Sequence, residues 1–151
     1  MNDTVKSWLS KSVEELDEIY CNARPGDIPS GDTHGTAILA GSIFSKCVAF
    51  FVGLYAWQGK VFDLFCPRGD AGLLVNKITS FSLTFIVAKV YRDDSWLDGK
   101  DTIVIDYSKT SFFAKLIRDE IREIEPGVYL GKVWWKKKRI LDFALVLDTT
   151  E

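Results

Sequence analysis

The chain reads as a mainly β protein with flanking helices, either a small antiparallel β-barrel or a strongly curved sheet wrapped on helices. Three observations predict this. From Lys60 onward, segments rich in Phe, Ile, Val and Thr follow one another at short spacing. Turn chemistry separates them at Pro67 to Gly69, Asp98-Gly99 and Pro126-Gly127. Near the end, Leu141, Phe143, Leu145 and Leu147 alternate cleanly, the signature of a strand with one buried face. A length of 151 residues makes a single domain the default and is enough to bury a core without disulfide or metal.

The elements follow in order. Ser12-x-x-Glu15 is a capping box, and Val13, Leu16, Ile19 and Tyr20 recur at helical spacing, so a helix is expected over residues 12 to 21. Val5, Trp8 and Leu9 keep a similar spacing and extend the helical segment back to about residue 4. Arg24 to Gly35, with Pro25, Gly26, Pro29 and Gly31, is expected to be loop. Thr36 to Gly41 is a short strand. Ser42 caps a second predicted helix, with Ile43, Phe44, Cys47, Val48, Phe51 and Leu54 on one stripe and Gly59 as its stop. Strands are expected at Val61 to Phe65, Gly72 to Ile78, Phe81 to Arg92 and Thr102 to Tyr107, with a hairpin tip near Trp96. Ser111 to Glu125 fits a helix: Phe112, Phe113, Leu116, Ile117, Ile121 and Ile124 fall on one side, and Lys115, Arg118, Asp119, Arg122 and Glu123 on the other. Val128 to Trp135 and Ile140 to Asp148 form the last hairpin. The barrel spans about residues 33 to 148.

Charge and cysteine usage narrow the function. A net charge of −2 gives no basic footprint for nucleic acid. The one basic run, Lys136-Lys137-Lys138-Arg139, reads as a solvated hairpin turn in preference to a phosphate or membrane contact. Cys21, Cys47 and Cys66 have no CxxC spacing, which argues against a metal or redox motif and fits a reducing compartment. No signal-peptide core is present, and the apolar run Ile43 to Trp57 holds Lys46 and is too short to span a bilayer. A cytoplasmic protein without a membrane span is expected. P-loop, Rossmann, nucleophile-elbow and EF-hand patterns are absent, so no nucleotide cofactor or metal is implied.

A few residues stand out as candidates for chemistry. Asp106 and Tyr107 are neighbours on a strand and point to opposite faces. Tyr107 shares the more apolar face with Ile103 and Ile105, which makes it a pocket residue with a polar handle. Arg118 and Arg122 are four apart and could grip a carboxylate, or pair with the neighbouring acids. His34, the sole histidine, sits between glycine-flanked residues as a candidate acid–base group or as a polar residue at the start of a strand. Asp142 interrupts an apolar strand. If its face lines a lumen it is a buried carboxyl with a raised pKa; if that face meets solvent it is ordinary. Trp57, Tyr129 and Trp134 could line an apolar pocket.

Trp57-x-Gly59-Lys60-x-Phe62, Val75-Asn76, Ile105-Asp106-Tyr107, Ile117-Arg118-Asp119 and Leu130-Gly131 occur in this order. This arrangement resembles the GxWxG-type domain family of uncharacterised proteins, with Thr33 standing where the motif tryptophan falls in Gly31 to Gly35. The resemblance implies a calycin-like, lipocalin-related barrel and no particular activity. Within this pattern Asn76 joins the aromatic residues as a candidate ligand contact. Two functions follow as expectations. The first is binding of a small hydrophobic metabolite in the barrel. The alternative is a cofactor-free isomerase or cyclase, which requires at least two of His34, Tyr107, Arg118 and Asp142 to converge on one cavity. An unpaired edge strand would also permit a homodimer.

Overall fold

The computed structural model describes residues 1–39, 57–63, 71–78, 86–108 and 116–148, and over 57–63, 71–78 and 86–87 it describes the backbone alone. Two short helices come first, α1 (Asp3–Trp8) and α2 (Val13–Asn22). Asn2 caps α1, its side chain accepting the Thr4 amide at 2.8 Å. Ser12 and Glu15 close the predicted capping box on α2. The chain therefore breaks between Trp8 and Val13, and the helical spacing from Val5 onward belongs to two helices.

Among the described residues eight strands follow: β1 (Gly31–Ile38), β2 (Trp57–Asp63), β3 (Ala71–Ile78), β4 (Ile86–Asp94), β5 (Asp101–Asp106), β6 (Ile117–Glu125), β7 (Val128–Trp135) and β8 (Lys138–Leu147). Each pairs antiparallel with the next, and β8 returns to β1. The result is a closed up-and-down barrel. Its shortest seam joins β1 to β2 through Gly31↔Phe62 and Asp32↔Val61. Because every strand has two neighbours, edge pairing, the predicted route to a homodimer, finds no free strand among those described.

The largest departure from the sequence reading is β6. The predicted helix from Ser111 to Glu125 is a strand from Ile117 on, paired with β5 and with β7. Ile117, Ile121 and Ile124 satisfy helical spacing, but Ile117 and Ile121 also lie an even number of residues apart and share one face of a strand. Charged residues at the remaining positions are poor strand formers by composition, and burial with paired partners overrides that tendency. Lys115, on the charged side of that predicted helix, lies outside the described residues. So does the predicted helix from Ser42, apart from Trp57 to Gly59, which open β2 instead. Gly31 to Gly35, read as loop, is already strand.

Alternation divides the barrel into two packed layers. One core cluster includes Val90, Ile103, Ile105, Tyr107, Ile121, Tyr129, Phe143 and Leu145, the inward residues of β4 to β8. A second includes Val5, Trp8, Leu16 and Tyr20 from the helices against Ile38, Val128, Leu130 and Ala144 from the outer face. The helices thus cover the outside of the barrel wall. The segment from Arg24 to Ser30 crosses the end where β6 turns into β7. Ile28 packs into the inner cluster. Tyr129 donates its hydroxyl to the Asp27 carbonyl at 3.0 Å, Glu123 donates its amide to the Pro25 carbonyl at 3.2 Å, and Arg92 reaches the Gly26 carbonyl.

Salt bridges hold the helices and the β4–β5 turn to the outer wall. Arg122 is fully buried and grips Asp98 through two 2.8 Å bonds. Lys132, also fully buried, meets Asp17 of α2 at 2.8 Å and Asp142 at 3.2 Å, and Arg139 reaches both of those acids. Glu120 accepts from Ser95 Oγ at 2.7 Å, the Trp96 amide at 2.9 Å and Arg118 Nε at 3.0 Å.

This arrangement carries a pH prediction. The Arg122 guanidinium holds the Asp98 carboxyl down from 3.8 to about 2. A depressed carboxylate contributes stability above its unfolded pKa and loses it as pH falls through the folded value. The stability gap between wild type and Asp98→Asn, measured by urea unfolding, should hold at neutral pH and shrink between pH 3.8 and about 2. A gap that stays constant across that window would contradict the assignment.

Candidate functional site

The lumen is walled by aliphatic side chains that the sequence dictates directly. On β5, Ile103 and Ile105 point inward; opposite them, Ile121 on β6 and Val90 on β4 do the same. Phe143 on β8 lies across from Gly131 on β7, and its ring occupies the space a Cβ on Gly131 would need. Among the described residues the inward face of β4 to β8 is thus mostly apolar, with few polar atoms on it.

Tyr107 and Asp119 provide one such polar point. The Tyr107 hydroxyl donates to Asp119 Oδ2 at 3.0 Å, and both residues are 4 % exposed. Asp119 is paired with Ile105 across the β5–β6 ladder, which sets it on the inward face beside Tyr107. The pair sits toward the barrel end opposite the Arg24 to Ser30 segment, where β5 finishes and β6 begins. A phenol bound to a carboxylate inside an apolar wall offers a ligand one directional hydrogen-bonding point, the usual design of a small-molecule site.

Near the closed end a second polar pair forms. Glu123 accepts the Gly127 amide at 2.9 Å and Tyr129 bonds the Asp27 carbonyl. Burial and the nearby Glu123 carboxylate push the Tyr129 phenol pKa up. Tyr129 is therefore a luminal residue, as expected, and it is tied to the segment that crosses the barrel end.

The remaining predicted site residues lie elsewhere. His34 is on the outer face of β1, its side chain 75 % exposed, with Nε2 2.8 Å from Asp148. Arg118 is on the outer face of β6, paired with Glu120 and Asp93 and stacked over Trp96 at 4.5 Å. Asp142 is buried, yet on the outer face, because α2 covers that wall. Burial pushes its carboxyl pKa up, against the pull of Lys132 and Arg139. Trp134 is also on the outer face, 7 % exposed and edge-on to Trp96 at 6.0 Å. Trp57 and Asn76 are placed in the β2 and β3 backbones, with side chains outside those described. Of His34, Tyr107, Arg118 and Asp142, Tyr107 alone reaches the lumen, so the four do not meet.

Sequence reasoning missed Asp119. Its signal is the alternation Ile117-x-Asp119-x-Ile121, set against Ile103-x-Ile105-x-Tyr107, and it becomes visible once Ile117 to Glu125 is taken as a strand. Among the described residues, no cluster of three or more His, Cys, Asp and Glu could hold a metal ion, and no helix is long and apolar enough to cross a membrane.

No protein-family model matches the chain, and no curated protein matches it. A crystal structure of a protein from Thermomonospora curvata is similar in fold, with a TM-score of 0.64 over 97 % of this chain and 95 % of that one, at 15 % sequence identity. That likeness establishes the mainly β architecture with its flanking helices.

Proposed function

We propose that the protein binds a small, largely apolar metabolite inside the barrel, with Tyr107 as the hydrogen-bonding anchor. The Tyr107–Asp119 pair on the mostly apolar inner face of β4 to β8 is the observation that supports this. Asp119 takes the phenol proton and fixes the hydroxyl, so a ligand O–H or N–H donates to a positioned phenol oxygen and not to a freely rotating one. The GxWxG-type resemblance is compatible with the same reading and names no ligand. The free Cys21 fits a reducing, cytoplasmic setting. An isomerase or cyclase built on His34, Arg118 and Asp142 has little support, because those side chains face away from Tyr107.

The test is a displacement titration with an apolar fluorescent probe, together with native mass spectrometry and extraction of bound molecules. Saturable one-to-one binding is expected. Tyr107→Phe should weaken ligands that donate a hydroxyl or amine proton about tenfold, equivalent to one lost hydrogen bond of about 1.4 kcal/mol. It should leave binding of a pure hydrocarbon unchanged. A bare mass spectrum with no saturable probe binding would overturn the proposal.

A further inference from the structure

The β7–β8 hairpin is at odds with its own turn chemistry. Trp135 pairs with Lys138, leaving Lys136 and Lys137 as a two-residue turn with φ of 50° and 63°. Two successive positive φ values define the turn type that Asn-Gly fills best, since L side chains with a Cβ resist that region. This chain spends both positions on lysine. A locally costly choice held at a fixed place points to a use for the side chains themselves.

The surroundings show what that use is. Lys136 Nζ lies 5.7 Å from the Trp135 ring and Lys137 Nζ 5.7 Å from the Trp96 ring. The Lys136 amide bonds the Leu116 carbonyl at 3.2 Å, bringing Leu116 to the base of the hairpin. Trp135, Trp96 and Leu116 are 37 %, 38 % and 38 % exposed. Arg139 is committed to Asp17 and Asp142, whereas Lys136, Lys137 and Lys138 form no salt bridge among the described residues. An otherwise acidic chain thus carries three uncompensated cations around exposed tryptophan and leucine at one tip.

We propose that this hairpin docks the protein onto an anionic lipid bilayer surface. Trp135 enters the headgroup region, and Lys136 to Lys138 meet the lipid phosphates and carboxylates. Indole rings favour the membrane–water boundary, and lysines beside it gain from the negative surface potential. The apolar material at the tip favours a bilayer over a nucleic acid, which would instead need a basic groove tracking its backbone. The hairpin also lies at the barrel end where the Tyr107–Asp119 pair sits, although the docking does not depend on what the lumen holds.

Co-sedimentation with vesicles of phosphatidylcholine, alone and mixed with phosphatidylserine, tests the proposal. The protein should sediment with the mixed vesicles, release as salt rises, and show a blue shift of tryptophan emission. Lys136→Asn with Lys137→Gly installs the favoured turn, so its Tm should not fall. Its partitioning should drop on the order of twentyfold, roughly fivefold for each lysine removed. Trp135→Ser should abolish the blue shift. Failure of the wild type to bind mixed vesicles, unchanged binding by the double variant, or preference for a single-stranded oligonucleotide over the vesicles would each overturn it.

Discussion

Arg122→Met should cost about 3–5 kcal/mol of stability, the range for breaking a buried ion pair from one side. Urea unfolding should show it as a lower midpoint with an unchanged slope. The size follows from how completely the side chain is used. Its Nε bonds the Asp101 carbonyl at 3.1 Å, Nη1 the Tyr20 carbonyl at 3.0 Å and Asp98 at 2.8 Å, and Nη2 Asp98 at 2.8 Å and the Lys100 carbonyl at 3.1 Å. These five bonds match the five donors of a guanidinium. The group also stacks on the Tyr20 ring at 4.4 Å. Methionine fills the volume and leaves the Asp98 carboxylate and three carbonyls without their donor. Adding Asp98→Asn to Arg122→Met should recover part of the loss, because the stranded charge is then gone. Lysine is a poor substitute, since a point charge cannot serve a flat two-pronged carboxylate and three carbonyls together. Equal stability of wild type and Arg122→Met would mean that the pair is not buried as described.

Gly131→Ala should destabilise the barrel by about 3 kcal/mol, the upper end of what overpacking a core costs. The added Cβ would fall within the Phe143 ring, and Phe143 is 2 % exposed, with no solvent side to retreat to. The double variant Gly131→Ala with Phe143→Leu should recover much of the loss, because leucine vacates the space of the ring edge. A thermal melt distinguishes the three proteins. If Gly131→Ala melted with wild type, the ring would have another rotamer available and the inner wall would be looser than these contacts imply.

Much of the β framework was legible from alternation alone. Leu141, Phe143 and Leu145 do face inward, and Tyr107 shares its face with Ile103 and Ile105 as the spacing required. Ser12 and Glu15 gave the start of α2 because a capping box is local chemistry. What failed has one physical origin. An outer barrel face is normally polar and wet, so charged residues on alternate positions read as solvent-facing. Here α2 and the β4–β5 turn cover that face, and Arg122, Lys132, Glu120 and Asp142 are buried there, Lys132 paired with Asp142, Arg122 with Asp98 and Glu120 with Arg118. No single-sequence pattern announces which acid will meet which base across such distances in the chain. Asp142 shows the limit clearly: alternation offers it a lumen or solvent, and the structure supplies a third place, burial beneath a helix. The same cover lets Ile117 to Glu125 read as an amphipathic helix, and that reading hides the inward alternation of Ile117, Asp119 and Ile121.

The closure of the ring by β8 has a consequence for how the molecule is made. The first strand finds one of its two neighbours in the last, Thr33 against Leu147 and Ile38 against Asp142. The anchors for α2, namely Lys132, Arg139 and Asp142, also come from β7 and β8. During synthesis α1 and α2 emerge before the strands whose outer face they cover. They must wait until β7 and β8 have left the ribosome. Such long-range pairing places the protein among slow folders, on the scale of milliseconds to seconds. The helices that precede the barrel are therefore secured only after its last strand has been made.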